Sequence, residues 1–243
     1  MTFTFLSGSP KRRIAMLMLV LASVCLSSIA QATEPIYLNT PVGMQRLDHA
    51  DLNHAYFMVA PYVDTQENMG FCGPASMAAI LNSMPAMPRP AATEYGPYKY
   101  FTQKALFNTE SNKVKSYDLV AHGGMTLAEA SRFLTALNVA NQLYYGSDLS
   151  ADTLRTLLKS ALANPHKRVI VDFYRPTFGQ KGEGHYSPLV AYDTASDSVL
   201  IADVAKFKYP PFWVTISDLL TSIQAIDPDS QKSRGLIVAS EPD

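Results

Sequence analysis

The sequence predicts an α+β fold, with a helical first half and a mostly antiparallel sheet after it. Three observations carry that expectation. An apolar run opening at Cys72 has Met77, Ile80, Leu81 and Met84 at helical spacing. A capping box follows at Thr126, and the stretch from Ser150 carries Leu154, Leu157, Leu158 and Leu162 on one face. After Pro165 the period changes, and β-branched and aromatic runs alternate with polar turns.

The chain has 243 residues, 47% hydrophobic and 17% charged, which fits one ordinary globular domain or at most two small ones. Its 20 basic residues nearly balance 21 acidic ones, so nothing in the charge supports a nucleic-acid partner. Residues 1–32 read as a secretory signal peptide. Lys11-Arg12-Arg13 is the positive region, Ile14 to Ile29 the apolar core, and Ala30-Gln31-Ala32 the cleavage signal. The expected mature domain is then 33–243, periplasmic or secreted, with no stable membrane anchor after cleavage. An uncleaved N-terminal anchor is the alternative, although the core is slightly short for a full span. A lipid anchor at Cys25 fits less well, because Val24 is bulkier than the small residue that modification wants. Cleavage removes Cys25 and leaves Cys72 as the mature chain's one cysteine, with no disulfide partner.

In order along the chain, residues 39–54 are polar, with a short helix expected around Asp48 to His54. Met58 to Val63 reads as extended. The helix from Cys72 should end near Asn82 or Ser83, ahead of prolines 85, 88 and 90. Residues 85–100, rich in Pro and Tyr, read as a loop. Helices are expected from Thr126 to about Leu137 and from Ser150 to Ala163. Arg168 to Tyr174 reads as a strand and Gly179 to Gly184 as a loop. His185 to Tyr192 and Ser198 to Asp203 then flank the polar turn 193–197 as a hairpin. Trp213 to Ile216 and Gly235 to Ala239 are further strands, with a helix from Ser217 to Ile226 between them.

The chemistry gathers around Cys72. A cysteine at a helix N-terminus feels the positive end of the helix dipole, which favours thiolate. Gln66, six residues earlier, offers an amide N–H to an oxyanion. A lone cysteine is more often a small buried hydrophobe, so partners decide the matter. Among five histidines, His49 and His54 are spaced for no metal site, and His122 and His166 read as solvent-facing. His185 begins a strand. With the turn centred on Thr194 it stands directly opposite Asp203, Cβ atoms roughly 5 Å apart. A carboxylate there would fix the imidazole tautomer. A strand-capping Asp203 beside an unengaged His185 is the bland alternative.

Gln66 with Asn68, Cys72-Gly73, Leu81-Asn82, Gly184-His185-Tyr186-Ser187-Pro188 and the block from Asp203 to Val214 together resemble the phytochelatin synthases. The resemblance covers residues 39–240 and implies a papain-like cysteine protease fold. It implies Cys72 as nucleophile, His185 as general base and acid, Asp203 as the orienting carboxylate, and Gln66 with the Cys72 N–H as oxyanion hole. It further implies that Asp227 and Arg234 recognise a γ-glutamyl head, and that Lys206, Lys208 and Tyr209 lie near a second-substrate site. Position 206 is Lys where the plant enzymes usually carry Arg, and the Cys-rich extension of the plant type does not follow the block. The implied activity is that of a glutathione γ-glutamylcysteinyltransferase or glutathione hydrolase, the balance in short bacterial relatives leaning to hydrolysis. The implied partners are glutathione and its metal complexes, with a homodimer left open. No cofactor and no protein metal site are expected, a heavy metal such as cadmium entering as the thiolate complex of glutathione. The rival readings are a papain-like peptidase on another peptide, a periplasmic thiol or metal-binding module, and a degenerate structural homologue.

Overall fold

Thr40 accepts the N–H of Gly43 and Pro41 takes the first helical turn, so the chain enters α1 (Pro41–His49) directly after the short strand β1 (Ile36–Tyr37). These features come from a computed structural model that describes residues 1, 2, 34–91 and 93–242. The expected signal peptide lies outside the described residues. The elements that follow are α2 (His54–Val59), α3 (Cys72–Asn82), α4 (Ser111–Val114), α5 (Tyr117–Gly123) and α6 (Leu127–Ala136). Then come β2 (Ala140–Tyr145), α7 (Ala151–Ala163), β3 (Lys167–Tyr174), β4 (Gly184–Asp193), β5 (Ser198–Ile201) and β6 (Phe212–Thr215). The last are α8 (Ile216–Gln224), β7 (Ile226–Asp227), β8 (Lys232–Ser233) and β9 (Gly235–Ser240).

The α+β expectation holds, and several local readings are corrected. Residues 41–49 form a full helix where only a short one around Asp48 to His54 was expected. Of Met58 to Val63, expected extended, all but Val63 is helical, passing from α2 into a 3-10 turn with Pro61 near its start. A proline in a first turn gives up no hydrogen bond, so it permits the helix that its β-branched neighbours argue against. Strand β2 interrupts the helical half.

The main sheet has the strand order β1-β6-β5-β4-β3-β9-β2, and every pairing in it is antiparallel. Both faces are covered. On one, α3 and α6 bring Met77, Ile80, Leu81, Phe133 and Leu134 against Ile170, Val190, Leu200 and Ile237. On the other, α7 and α8 bring Leu154, Leu158, Leu219 and Ile223 against Val169, Val171, Leu189 and Ile201. Double coverage explains why β3 and β4 are buried along almost their whole length, on both faces.

Helix α3 is buried along all eleven residues, not on one face alone. Met77, Ile80 and Leu81 are fully enclosed, worth roughly 1.5–3 kcal/mol each relative to exposure. Arg168 of β3 fastens its C-terminal end, donating to Ser83 O at 2.9 Å and Ser83 Oγ at 2.8 Å. The residue that opens α3 is therefore held by a rigid element.

Candidate active site

Cys72 is the first residue of α3 and the free cysteine among the described residues. It lines a cleft of about 310 Å³ together with Asp172, Gly184, Tyr186, Asp227 and Arg234. Burial pushes its thiol up to about 11, and the negative charge of Asp172 adds to that. The backbone N–H groups of Tyr186 and Gly73 and the charge of Arg175 pull the other way and do not prevail. The expected preference for thiolate is thus reversed at rest, because desolvation outweighs the helix end. The Tyr186 N–H belongs to the peptide that joins it to His185, so Cys72 meets β4 at that residue.

His185 and Asp203 are brought together as the sequence suggested: His185 Nε2 lies 2.9 Å from Asp203 Oδ1, both groups buried. The predicted register is corrected. In the hairpin Asp193 faces Ser198 and Ala191 faces Leu200, then a bulge shifts the pairing so that Leu189 faces Ile201. Burial lowers the pKa of His185 against the pull of Asp203, leaving the imidazole neutral near pH 7. Asp203 is held below the usual carboxylate range: burial opposes ionisation, while His185, Arg175 and the Ala205 N–H together outweigh it. With Nε2 on the carboxylate, Nδ1 is the ring nitrogen left for proton transfer.

Arg175 is a functional candidate that sequence reasoning missed. Its side chain is 3% exposed; Nη2 lies 2.9 Å from Asp203 Oδ1 and 2.8 Å from Oδ2, and Nη1 donates to Gln180 Oε1 at 2.6 Å. The guanidinium also stacks over Phe173 and Tyr209. Nothing in its local sequence marks it, since its partner is 28 residues away. Asp172 and Tyr186 were missed as well. Asp172 is an acid inside the apolar strand 168–174, and that was its signal. Burial raises its carboxyl to about 7 despite Arg234, whose Nη1 donates to Oδ1 at 2.9 Å. The Tyr186 hydroxyl and Arg234 Nε are buried without a hydrogen-bond partner, and both residues line the cleft.

Arg234 reaches the cleft because of Gly184. A Cβ at that position would sit 2.1 Å from Arg234 Nη1. Asp227 borders the same cleft, its carboxylate fixed by the N–H groups of Asp229 and Ser230 and the Ser230 hydroxyl, with Arg234 Nη2 at 3.9 Å. Gln66 is 5% exposed; Nε2 donates to Asn68 O at 2.7 Å, which leaves its second N–H, while Oε1 is buried without a partner.

Lys206, Lys208 and Tyr209 do not line this cleft. Lys206 Nζ binds Val63 O, Tyr209 OH accepts the Lys181 N–H at 2.7 Å, and Lys208 lies near Gly182 and contributes to the field on His185. Tyr209 and Lys208 lie beside Arg175, the first under its guanidinium and the second meeting it at Gly182, whereas Lys206 reaches the Val63 segment instead. His122 is exposed as expected, but it closes α5 and forms part of the cleft wall. Among the described residues no cluster of three or more His, Cys, Asp or Glu side chains is arranged to hold a metal ion.

Residues 28–236 match the family model described as phytochelatin synthase. The chain is 27% identical over 188 residues to glutathione gamma-glutamylcysteinyltransferase 1 of Lotus japonicus, covering 77% of this chain and 36% of that protein. It is 28% identical to the Arabidopsis thaliana protein of the same name (77% and 37%), and 30% identical to the glutathione gamma-glutamylcysteinyltransferase of Schizosaccharomyces pombe (75% and 42%). The matched region thus spans well under half the length of these curated relatives.

Proposed function

The chain belongs to the phytochelatin synthase family, and from that premise we propose that it is a cysteine acyltransferase acting on glutathione. The observation that carries the reading is one cleft lined by Cys72, Asp227 and Arg234 and by Gly184 and Tyr186, the two neighbours of the His185 that is bonded to Asp203. The names of the relatives support glutathione as the donor.

The Cys72 sulfur attacks the carbonyl joining cysteine to glycine. Because thiol and imidazole are both neutral at rest, His185 takes the thiol proton during attack and returns it to the departing glycine amine. Asp203 holds the ring and stabilises the imidazolium, with Arg175 fixing the carboxylate behind it. The Cys72 N–H and the free Gln66 N–H receive the oxyanion. Arg234 takes the α-carboxylate of the γ-glutamyl head and Asp227 its α-ammonium, opposite charges matched to a zwitterion. The resulting γ-glutamylcysteinyl thioester passes to water or to the amine of a second glutathione, whose approach past Asp203 would meet Lys206, Lys208 and Tyr209. Cadmium or a similar soft metal enters with substrate as a thiolate complex. Residues 1–32 direct the enzyme out of the cytoplasm and are removed; an N-terminus at Met1 in native protein overturns that part.

The test is incubation of the mature protein with glutathione, with and without cadmium, followed by mass spectrometry. A Cys72 adduct weighing γ-glutamylcysteine less water, absent from Cys72→Ala, is the expected result. Glutathione left intact, with other peptides cleaved, favours the peptidase reading instead. Free γ-glutamylcysteine against longer oligomers then separates hydrolysis from synthesis.

A further inference from the structure

The segment bearing Gln66 is held on both of its edges. On one, the Gln66 N–H donates to Val204 O at 2.9 Å. On the other, a single side chain makes both contacts: Gln103 Nε2 donates to Thr65 O at 2.9 Å, and Gln103 Oε1 accepts the Glu67 N–H at 3.0 Å. In an extended segment one residue's N–H points to one side, while the preceding C=O and the following N–H point to the other. The Gln103 amide therefore fills the place of a neighbouring strand. Its own burial is nearly complete at 5% exposure, with both polar ends satisfied.

We propose that Gln103 is a positioning residue for the oxyanion hole, acting through Gln66. Val204 follows Asp203, and its N–H donates to Ser187 Oγ at 3.3 Å while that hydroxyl donates to Tyr186 O at 2.7 Å. The segments carrying Gln66, Asp203 and His185 are thus stitched to one another, and Gln103 supplies the outer support of the first. Without it, the segment keeps one edge and Gln66 can swing about that hinge. Oxyanion donors act through preorganisation, so loss of support lowers turnover more than it alters substrate binding. Gln103 also borders a groove of about 250 Å³ lined by Tyr62, Tyr95 and Tyr100. Truncation there opens onto that groove rather than leaving a sealed cavity, so the fold should survive.

The inference rests on the acyl-transfer reading, and a double-mutant cycle tests it separately. Glycine release from glutathione, Cys72 alkylation by iodoacetamide and thermal melting are measured for wild type, Gln66→Ala, Gln103→Leu and the double variant. Expected for Gln103→Leu is a kcat roughly ten- to a hundredfold lower with KM and alkylation rate near wild type. The double variant should turn over no more slowly than Gln66→Ala, because the support has nothing left to position. Gln103→Glu keeps the acceptor for Glu67 and loses the donor to Thr65, so its kcat should fall between the two, and it replaces Gln103→Leu in the cycle should that variant not fold. Additive losses, or a Gln103→Leu enzyme with wild-type kcat, overturn the proposal. Wild type that releases no glycine overturns the acyl-transfer reading instead.

Discussion

His185 and Asp203 share a hydrogen bond of 2.9 Å although they are not opposite each other in the hairpin that carries them. Near the turn Ala191 faces Leu200, and continued straight that register would set Asp203 across from Pro188, on the face away from His185. The bulge at Val190 shifts the pairing by one, and the Ala202 N–H to Pro188 O bond of 2.9 Å keeps the new register past Ile201. Asp203 then aligns with Ser187 on the face of His185 and meets it diagonally. The core records the same event: Val190 and Ala191 both pack towards α3, breaking the alternation.

Asp203 faces two groups, and two substitutions separate its roles. Asp203→Asn keeps the shape and removes the charge that orients the imidazole, so glycine release should fall by about 10²–10⁴ in kcat. Asp203→Ala in addition strands the buried Arg175 cation, with an expected loss of about 3–5 kcal/mol in urea unfolding. Adding Arg175→Met to Asp203→Ala should restore much of the stability and none of the activity. Full stability in Asp203→Ala alone would show that Arg175 finds another partner.

What the sequence makes legible is what local signals determine. The capping box at Thr126, the leucine-faced helix from Ser150, the apolar run of α3 and the β-branched run of β3 all form where expected. Strand β2, Ala-Asn-Gln-Leu-Tyr-Tyr, has no such signal and exists because its partner β9 lies almost a hundred residues downstream. The site divides the same way. Cys72, His185 and Asp203 announce themselves by type and spacing, whereas Arg175 and Gln103 are set by contacts 28 and 36–38 residues away. The bulge has no marker residue at all, so the right pair was anticipated from the wrong register.

The resting protonation of the nucleophile follows from its burial. With the thiol pushed up to about 11 and His185 pushed down, the thiolate fraction below that value grows about tenfold per pH unit. Iodoacetamide should therefore modify Cys72 faster and faster from pH 6 to 9, without levelling. A plateau already reached below pH 7 would mean a preformed thiolate–imidazolium pair and would sink the neutral-pair account.

Gly184→Ala should act on binding rather than on chemistry. The added Cβ collides with Arg234 Nη1 and must drive the guanidinium out of its bond with Asp172. KM for glutathione should rise at least tenfold, about 1.4 kcal/mol, while iodoacetamide still reaches Cys72 at its normal rate. An unchanged KM would remove Arg234 from the list of substrate contacts.

Arg168 tests whether the far end of α3 contributes stability alone. The side chain is 2% exposed and donates to Ser83 O, Ser83 Oγ, Pro165 O and Lys167 O. Burial lowers its pKa, so the charge itself is costly, and removing it brings some relief. Its hydrogen-bond partners are neutral, however, three of the four being backbone carbonyls, and the charge of Glu241 offsets part of the burial cost. Leaving them unmatched costs more than the relief returns, because buried acceptors without donors lose their full desolvation energy. Arg168→Leu should lower unfolding stability by about 2–3 kcal/mol. The folded fraction should keep its kcat, since α3 remains packed along its length and Cys72 sits eleven residues from Ser83, where the contact is lost. A fall in kcat at full folding would instead mean that the position of the nucleophile is set from the C-terminal end of its helix.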